Sequence, residues 1–289
     1  MATFDLARFL KLSRAVDLSD IDWDEAARVG ITDDEHAIVR YMADTETHTI
    51  VYMRDLLAGH TARDPEVTSF MACWVYEETH HGLALDRFLR VVGRPASQPV
   101  SGSVFREEVE AFLSTNAARA SRHFAAAHMA WGALNEATAA AAYNAVARTT
   151  ANRQLAKLVS KLARDERRHY SFYYSQAEKR LGHATARVLC RAALRGFWGP
   201  VGIGVGGSRE VIEMFFAKFF SHGDGFEEIT HIESKIRELP GLGRFNRLTH
   251  WRDRCVAEFA RREPERFKSY QHPPATASAT SADRAWLSG

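Results

Sequence analysis

The sequence predicts an all-α protein built around four long helices. Through most of the 289 residues, apolar side chains recur every three or four positions, and runs of alternating apolar and polar residues are nearly absent. The first pattern is typical of helices that bury one face, whereas alternation would indicate strands. Four stretches of nearly thirty residues keep the helical spacing, and each is long enough to form one helix of a four-helix bundle.

The four long helices are predicted at about residues 33–57, 64–92, 119–149 and 153–181. An acidic run or an Asp-Pro pair marks each of the first two starts, and glycine follows three of the four ends. Between the second and third helices, the segment 93–104 contains two prolines and is long enough for the crossover that some bundles use.

The rest of the chain is divided around this bundle. Residues 1–30 are predicted to be a helical lead-in to a bundle at 31–182, and residues 183–268 to be an appendage of shorter helices. Residues 269–289, rich in Pro, Ser, Thr and Ala, are predicted to be a disordered tail. No apolar run is long enough to span a membrane and no secretory signal is legible, so we expect a cytoplasmic protein.

The three cysteines do not indicate a disulfide framework or a metal site. Cys73, Cys190 and Cys255 lie far apart in the sequence and show no CxxC spacing. We interpret them as buried thiols.

Two of the long helices carry the same Glu-x-x-His spacing. It occurs as Glu78 with His81 and again as Glu166 with His169. Residues three apart share one face of a helix, so each pair is able to present a carboxylate and an imidazole to one metal. The other two long helices each hold one carboxylate in an apolar setting, Glu46 on the first and Glu136 on the third.

These six residues match the ligand inventory of ferritin-like di-iron and di-manganese bundles. A single Glu-x-x-His is common by chance, and a lone Glu is normally solvated, but the chain order Glu, ExxH, Glu, ExxH is much harder to obtain by accident. Oxygen and imidazole ligands suit two iron ions, or manganese. Without metal, some of the buried carboxylates should be protonated, because four like charges in one site would be too costly.

The segments around the two motifs resemble a known family. The runs 74–82 (WVYEETHHG) and 165–169 (DERRH) are similar to the signature motifs of the acyl-acyl-carrier-protein desaturases, ferritin-like enzymes that introduce a cis double bond into a carrier-bound fatty chain. The resemblance covers about residues 30–185 and includes the glycine after His81. It implies a homodimer, an acyl carrier protein as partner, and a ferredoxin or reductase as electron donor.

The resemblance also implies roles for residues around the ligands. Asp165 would bond His81, and an acid such as Glu77 would act in the same way, because such partners fix the tautomer of a metal-bound imidazole. Trp74 is either an electron relay or a core residue. The family has a threonine one turn after the third-helix Glu; here that position is Ala139, with Thr138 one residue earlier, so proton delivery would differ.

Several other features have two readings. The run Ala137–Ala142 permits either close helix packing or a channel beside the metals, and Tyr170, Tyr173 and Tyr174 fit a core cluster better than a radical site. Basic side chains at the end of the third helix, along the fourth helix and on the segment after it would receive an acidic carrier, whereas no nucleic-acid motif accompanies them. They are Arg148, Arg153, Lys157, Lys161, Arg164, Arg167, Arg168, Arg187, Arg191 and Arg195.

The function predicted from the sequence is an oxygen-dependent di-iron oxidoreductase that desaturates a carrier-bound fatty acyl chain. One alternative is a hydroxylase or N-oxygenase that acts on a smaller metabolite with the same metals. A second alternative is an iron-binding or storage protein without an organic substrate. A narrow apolar channel at the metals would favour the first function, a wide polar pocket the second, and a cage-forming surface the third.

Overall fold

The computed structural model describes residues 4–57, 59–95, 121–200 and 209–271. This part of the chain contains helices and no strand, so the predicted all-α fold class is confirmed. The helices, in chain order, are α1 (Leu6–Leu12), α2 (Trp23–Val29), α3 (Asp33–Leu57), α4 (Pro65–Val91), α5 (Ala125–Thr149), α6 (Arg153–Arg180), α7 (Ala184–Gly196), α8 (Arg209–Phe219), α9 (Gly223–Glu238), α10 (Arg247–Arg262) and α11 (Pro264–Gln271).

The bundle consists of α3 packed on α4 and α5 packed on α6, with a short connection inside each pair. At the start of α4, the Asp64 carboxylate accepts a hydrogen bond from the backbone N–H of Glu66, and Pro65 occupies the first turn. At the start of α6, Asn152 caps the helix and donates from its side chain to the carbonyls of Ala26 and Gly30. The α6 cap therefore also ties the lead-in helix α2 to the bundle.

Two glycines allow the bundle helices to approach closely at the level of the motifs. A Cβ on Gly82 of α4 would lie 2.8 Å from Cγ2 of Thr47 on α3. A Cβ on Gly132 of α5 would lie 2.4 Å from the ring of Tyr173 on α6. The glycine that follows His81 is thus required by the contact between α3 and α4.

The C-terminal helices pack on α3 and α5 and on one another. Helices α7 and α9 contact α5, and α8 contacts α3 as well as α10 and α11. Asp34, at the start of α3, accepts hydrogen bonds from Lys218 at 2.9 Å, from the Tyr270 hydroxyl at 2.8 Å and from Arg266. These bonds fasten α8 and the last helix, α11, to the start of α3.

The last helix extends into the predicted tail. Ser269, Tyr270 and Gln271 belong to α11, because the Tyr270 ring stacks on Phe259 at 5.6 Å in addition to its bond to Asp34. The remaining tail, most of the 93–104 linker and residues 201–208 lie outside the described residues. No helix in the described ranges is long and apolar enough to cross a membrane.

The cysteines differ in burial. Cys190 and Cys255 are buried free thiols as predicted, whereas Cys73 is only partly buried because it lies towards the outer side of α4.

Candidate metal centre

The bundle brings all six predicted ligands together in its interior. Helix α3 supplies Glu46, α4 supplies Glu78 and His81, α5 supplies Glu136, and α6 supplies Glu166 and His169. We call these six residues the Glu/His cluster. Every member is buried, and the most exposed of them, Glu46, retains only 8% of its surface.

The Glu/His cluster consists of two overlapping groups. One group contains Glu46, Glu78, His81 and Glu166, and the other contains Glu78, Glu136, Glu166 and His169. Within each group the ligand atoms lie within 4.8 Å of one another. Glu78 and Glu166 belong to both groups, whereas Glu46 and Glu136 each belong to one, so the six residues together would hold two metals.

Both histidines point Nδ1 towards the cluster. Nδ1 of His81 lies 3.1 Å from Oε1 of Glu166 and 3.6 Å from Oε2 of Glu78. Nδ1 of His169 lies 2.9 Å from Oε1 of Glu78 and 3.5 Å from an oxygen of Glu136. The Nδ1 atoms are therefore the ones that would ligate, and the Nε2 atoms face outwards.

Each outward Nε2 meets a carboxylate. Nε2 of His81 lies 3.2 Å from Oδ2 of Asp165, and Nε2 of His169 lies 2.7 Å from Oε2 of Glu77. Arg168 joins the two acids, since its guanidinium donates to Oδ1 of Asp165 at 2.6 Å and to Oε1 of Glu77 at 3.2 Å. Carboxylate partners of this kind fix the orientation and tautomer of a ligating imidazole.

Residues of the lead-in segment also surround Glu77, and these contacts were not predicted from the sequence. The Ser13 hydroxyl and the Arg14 backbone N–H donate to Oε1 of Glu77, at 2.7 Å and 3.3 Å. The ring of Phe9, on α1, lies 6.1 Å from the His169 ring. These contacts join residues about sixty or more positions apart, so no local pattern in the sequence could have revealed them.

The protonation of the Glu/His cluster follows from burial and mutual hydrogen bonding. Burial and then the neighbouring carboxylates raise the pKa of Glu46 and of Glu136 well above the ordinary range. Burial alone would also raise the pKa of Glu78 and Glu166, but hydrogen bonds within the cluster outweigh it and lower both.

The two histidines carry the compensating positive charge. Burial lowers the pKa of His81 and His169, but hydrogen bonds to the surrounding carboxylates reverse the effect and raise both well above the ordinary value. Because the pKa values of two carboxyls and of both imidazoles are raised, protons offset part of the negative charge of the metal-free cluster. This agrees with the expectation that some carboxylates are protonated without metal.

The orientation of the ligand atoms fits a metal better than it fits this proton network. Four cluster atoms are buried without a properly directed hydrogen bond: Oε1 of Glu78, Nδ1 of His81, Oε1 of Glu166 and Nδ1 of His169. Buried polar atoms are nearly always hydrogen-bonded, so converging atoms of this kind point to a ligand. Carboxylate oxygen and imidazole nitrogen suit iron and manganese.

Tyr143 is a further residue at the cluster that the sequence analysis missed. It lies on α5 two turns after Glu136, and its hydroxyl donates a hydrogen bond to Oε1 of Glu46 on α3. Burial and then the neighbouring carboxyl groups raise the pKa of the phenol well above its ordinary value, which keeps the hydroxyl protonated as a donor. The seven-residue spacing from Glu136 was a signal for it, because such residues share one helix face.

Trp74, Thr138 and the three tyrosines named in the sequence analysis make contacts within the helical bundle. Trp74 is buried and packs edge to face on Tyr173, with ring centroids 5.8 Å apart. The Thr138 hydroxyl donates to the Asn135 carbonyl at 2.9 Å. Tyr170, Tyr173 and Tyr174 are buried, in agreement with the core reading.

An apolar cavity adjoins the Glu46 side of the cluster. Thr138, Ala139 and Ala142 of α5 line it, together with Glu46 and Tyr143. Its other walls come mainly from the appendage and are aromatic or aliphatic: Trp198, Ile212, Phe215, Phe216, Phe220, Ile229 and Leu248. The alanine run therefore has two roles: Ala139 and Ala142 line the cavity, whereas Ala137, Ala140 and Ala141 are fully buried in the packed core.

The family follows from a comparison with known sequence families. A family model described as "Fatty acid desaturase" matches residues 31–194, which is more than half of the chain and includes all four bundle helices. The chain belongs to the fatty acid desaturase family. Comparisons with curated proteins and with solved structures return no significant match. Membership makes the protein a desaturase-like oxidoreductase, and the Glu/His cluster lies within the matched region.

Proposed function

We propose that this protein is an oxygen-dependent di-iron desaturase that acts on a fatty acyl chain bound to a carrier protein. The observation that carries the proposal is the apolar cavity beside Glu46, since an aliphatic chain fits such walls and a polar metabolite does not. Because helices of the appendage supply mainly apolar walls to this cavity, it also gives less support to a storage protein, whose iron would need a polar route.

The residues of the Glu/His cluster would hold two irons. When bound there, the irons supply the activation of O2 that removal of hydrogen from an unactivated C–H bond requires. The chain's own contribution is to bind and orient: Asp165 and Glu77 fix the two histidines, and the apolar cavity walls would surround the acyl chain.

A separate protein would deliver electrons. Formation of one double bond removes one electron pair from the substrate, whereas reduction of O2 to water takes two pairs. The other pair has to come from a donor, and a ferredoxin or reductase is the class that we propose.

An acidic carrier would bind the outer face of α7. Three of the ten basic side chains predicted for this purpose form ion pairs within the chain instead: Arg148 with Glu228, Lys161 with Asp20, and Arg168 with Glu77 and Asp165. On α7, by contrast, Arg191 and Arg195 are exposed, and the nearby apolar Val188 and Phe197 keep 57% and 50% of their surface. A basic face with apolar side chains suits an acidic helical partner.

The decisive experiment is a reaction with defined components. Iron-loaded protein is incubated with ferredoxin, its reductase, reductant and O2, and with fatty chains of several lengths presented on acyl carrier protein, on coenzyme A or as free acids. We expect an O2-dependent unsaturated product from the carrier-bound chain, identified by mass spectrometry. A hydroxylated product would favour the first alternative function, and no product from any substrate would contradict the proposal.

The carrier surface has a matched test. Arg191→Glu with Arg195→Glu should raise the KM for the carrier-bound substrate and leave iron content unchanged, because both side chains lie on α7 away from the cluster. An unchanged KM would remove α7 from the docking surface.

A homodimer is the assembly that we propose. Exposed apolar side chains on the outer faces of α3 and α4 support it, since Ile50, Tyr76 and Leu83 each keep about half of their surface exposed, at 52%, 48% and 54%. Light scattering at micromolar concentration should give twice the chain mass of 32.5 kDa. A monomer would contradict the dimer and leave the metal centre unaffected.

A further inference from the structure

The two carboxylates at the ends of the Glu/His cluster are held in different ways. Glu46 accepts a hydrogen bond from the Tyr143 phenol, which approaches from α5. Glu136, its counterpart in the other group, has Nδ1 of His169 as a neighbour at 3.5 Å, and that atom belongs to the cluster itself. Glu46 therefore has a hydrogen-bond partner from outside the cluster.

Tyr143 also stands where the cluster meets the apolar cavity. Its side chain lines the cavity together with Glu46 and keeps only 1% of its surface exposed. The walls beside it are mainly apolar, so the loss of its hydroxyl would leave an oxygen of Glu46 without that donor.

We propose that Tyr143 is a positioning residue that holds the Glu46 carboxylate in one orientation, with Oε1 bound to the phenol and Oε2 left for a metal. The inference rests on the proposed function, because it assigns the phenol a part in shaping the same metal centre. It follows that the metal in the group of Glu46, Glu78, His81 and Glu166 has a more constrained carboxylate than the other metal. The two metal positions should therefore differ in affinity and in spectrum.

The test uses Co2+ without O2, because its visible absorption reports coordination and no turnover is needed. Full-length protein is titrated with Co2+ as wild type, as Tyr143→Phe and as Tyr174→Phe. Tyr174 is a matched control, since it is also a buried tyrosine but its hydroxyl donates to the Lys235 carbonyl. Circular dichroism and melting of the metal-free proteins establish that each variant folds.

We expect wild type and Tyr174→Phe to bind two Co2+ with the same affinities and the same spectrum. In Tyr143→Phe, one of the two ions should bind about 10–100-fold more weakly, as is typical when the partner of a ligand is lost, and its absorption bands should change shape. In a Glu46→Ala background the further change Tyr143→Phe should have no effect on the remaining ion, because Tyr143 acts through Glu46.

Three outcomes would overturn the inference. They are a wild-type spectrum in Tyr143→Phe, a Tyr143→Phe effect that persists without Glu46, and a lower melting temperature with no change in metal binding, which would make the bond merely structural. Failure of the proposed function is distinct, since the wild type itself would then not bind two ions.

Discussion

The contact between Asp165 and His81 allows a direct test of how the protein orients a metal-binding histidine. Asp165→Asn removes the negative charge, keeps the shape of the side chain and leaves a carbonyl oxygen that is able to accept from Nε2 of His81. The six residues of the Glu/His cluster stay in place. Any change therefore reports the charge of one outer carboxylate.

The magnitude follows from the pKa of Asp165. Burial alone would raise this pKa, but the hydrogen bond and charge of His81, and then the charge of Arg168, lower it from 3.8 to about 2. A shift of one pKa unit corresponds to about 1.4 kcal/mol. The lowering from 3.8 to about 2 therefore means that the ionised Asp165 contributes about 2 kcal/mol to the free energy of unfolding at neutral pH. Because the folded-state pKa is lowered, this stabilisation is present above pH 3.8 and is lost as the pH falls towards 2.

The assay is urea unfolding of metal-free wild type and Asp165→Asn at pH 7 and again near pH 3. At pH 7 the variant should lose about 2 kcal/mol of the free energy of unfolding, and near pH 3 about half of that difference should remain. With iron, the affinity should fall about 10–100-fold while the stoichiometry stays at two. Asp20→Asn is the control, because Asp20 pairs with Lys161 at the surface, and it should leave iron binding unchanged.

Two results would refute this reasoning. Equal free energies of unfolding at pH 7 with equal iron affinity would mean that the charge of Asp165 does not act on His81. A loss that is undiminished near pH 3 would mean that the substitution disturbs packing instead, because the carboxyl is then largely protonated in the unfolded state and the stabilisation from its charge is already reduced.

Three further predictions concern ligands, protons and packing. Glu166→Ala and His169→Ala should each abolish binding of two irons, measured by metal analysis after dialysis, because each removes a ligand atom from the cluster; retention of two irons would contradict the ligand set. Binding of two divalent metals at pH 7 should release protons, up to one from each cluster residue whose pKa is raised, and the affinity for metal should fall as the pH falls. Calorimetry in two buffers with different heats of ionisation counts the protons released. No release would contradict the raised pKa values. Gly132→Ala should lower the free energy of unfolding by about 1–3 kcal/mol, because the added Cβ would lie 2.4 Å from the Tyr173 ring. The control Gly196→Ala, whose Cβ would meet no atom within 4 Å, should leave the free energy of unfolding unchanged or raise it. Equal effects of the two substitutions would contradict the packing argument.

The sequence by itself determined the helical class, the four long helices and the six members of the Glu/His cluster. These features are local: helical spacing and a Glu-x-x-His pair on one helix face depend on residues a few positions apart. The third long helix is the least well predicted, since α5 begins at Ala125 rather than near residue 119, after a short 3-10 turn at Arg122–Phe124. Asp165 and Glu77 were indicated by the resemblance because each directly precedes a ligand.

Only the tertiary structure decided how these residues meet. The packing of α3, α4, α5 and α6 decides three features of the cluster. It sets which carboxylates belong to both groups, it turns Nδ1 of each histidine inwards, and it brings Tyr143 to Glu46. The same holds for Ser13 beside Glu77 and for the cavity walls that α8, α9 and α10 supply. Contacts of this kind join residues up to about two hundred positions apart, and their pairing is set by side-chain shape in a close-packed interior, which no periodic pattern in the sequence encodes.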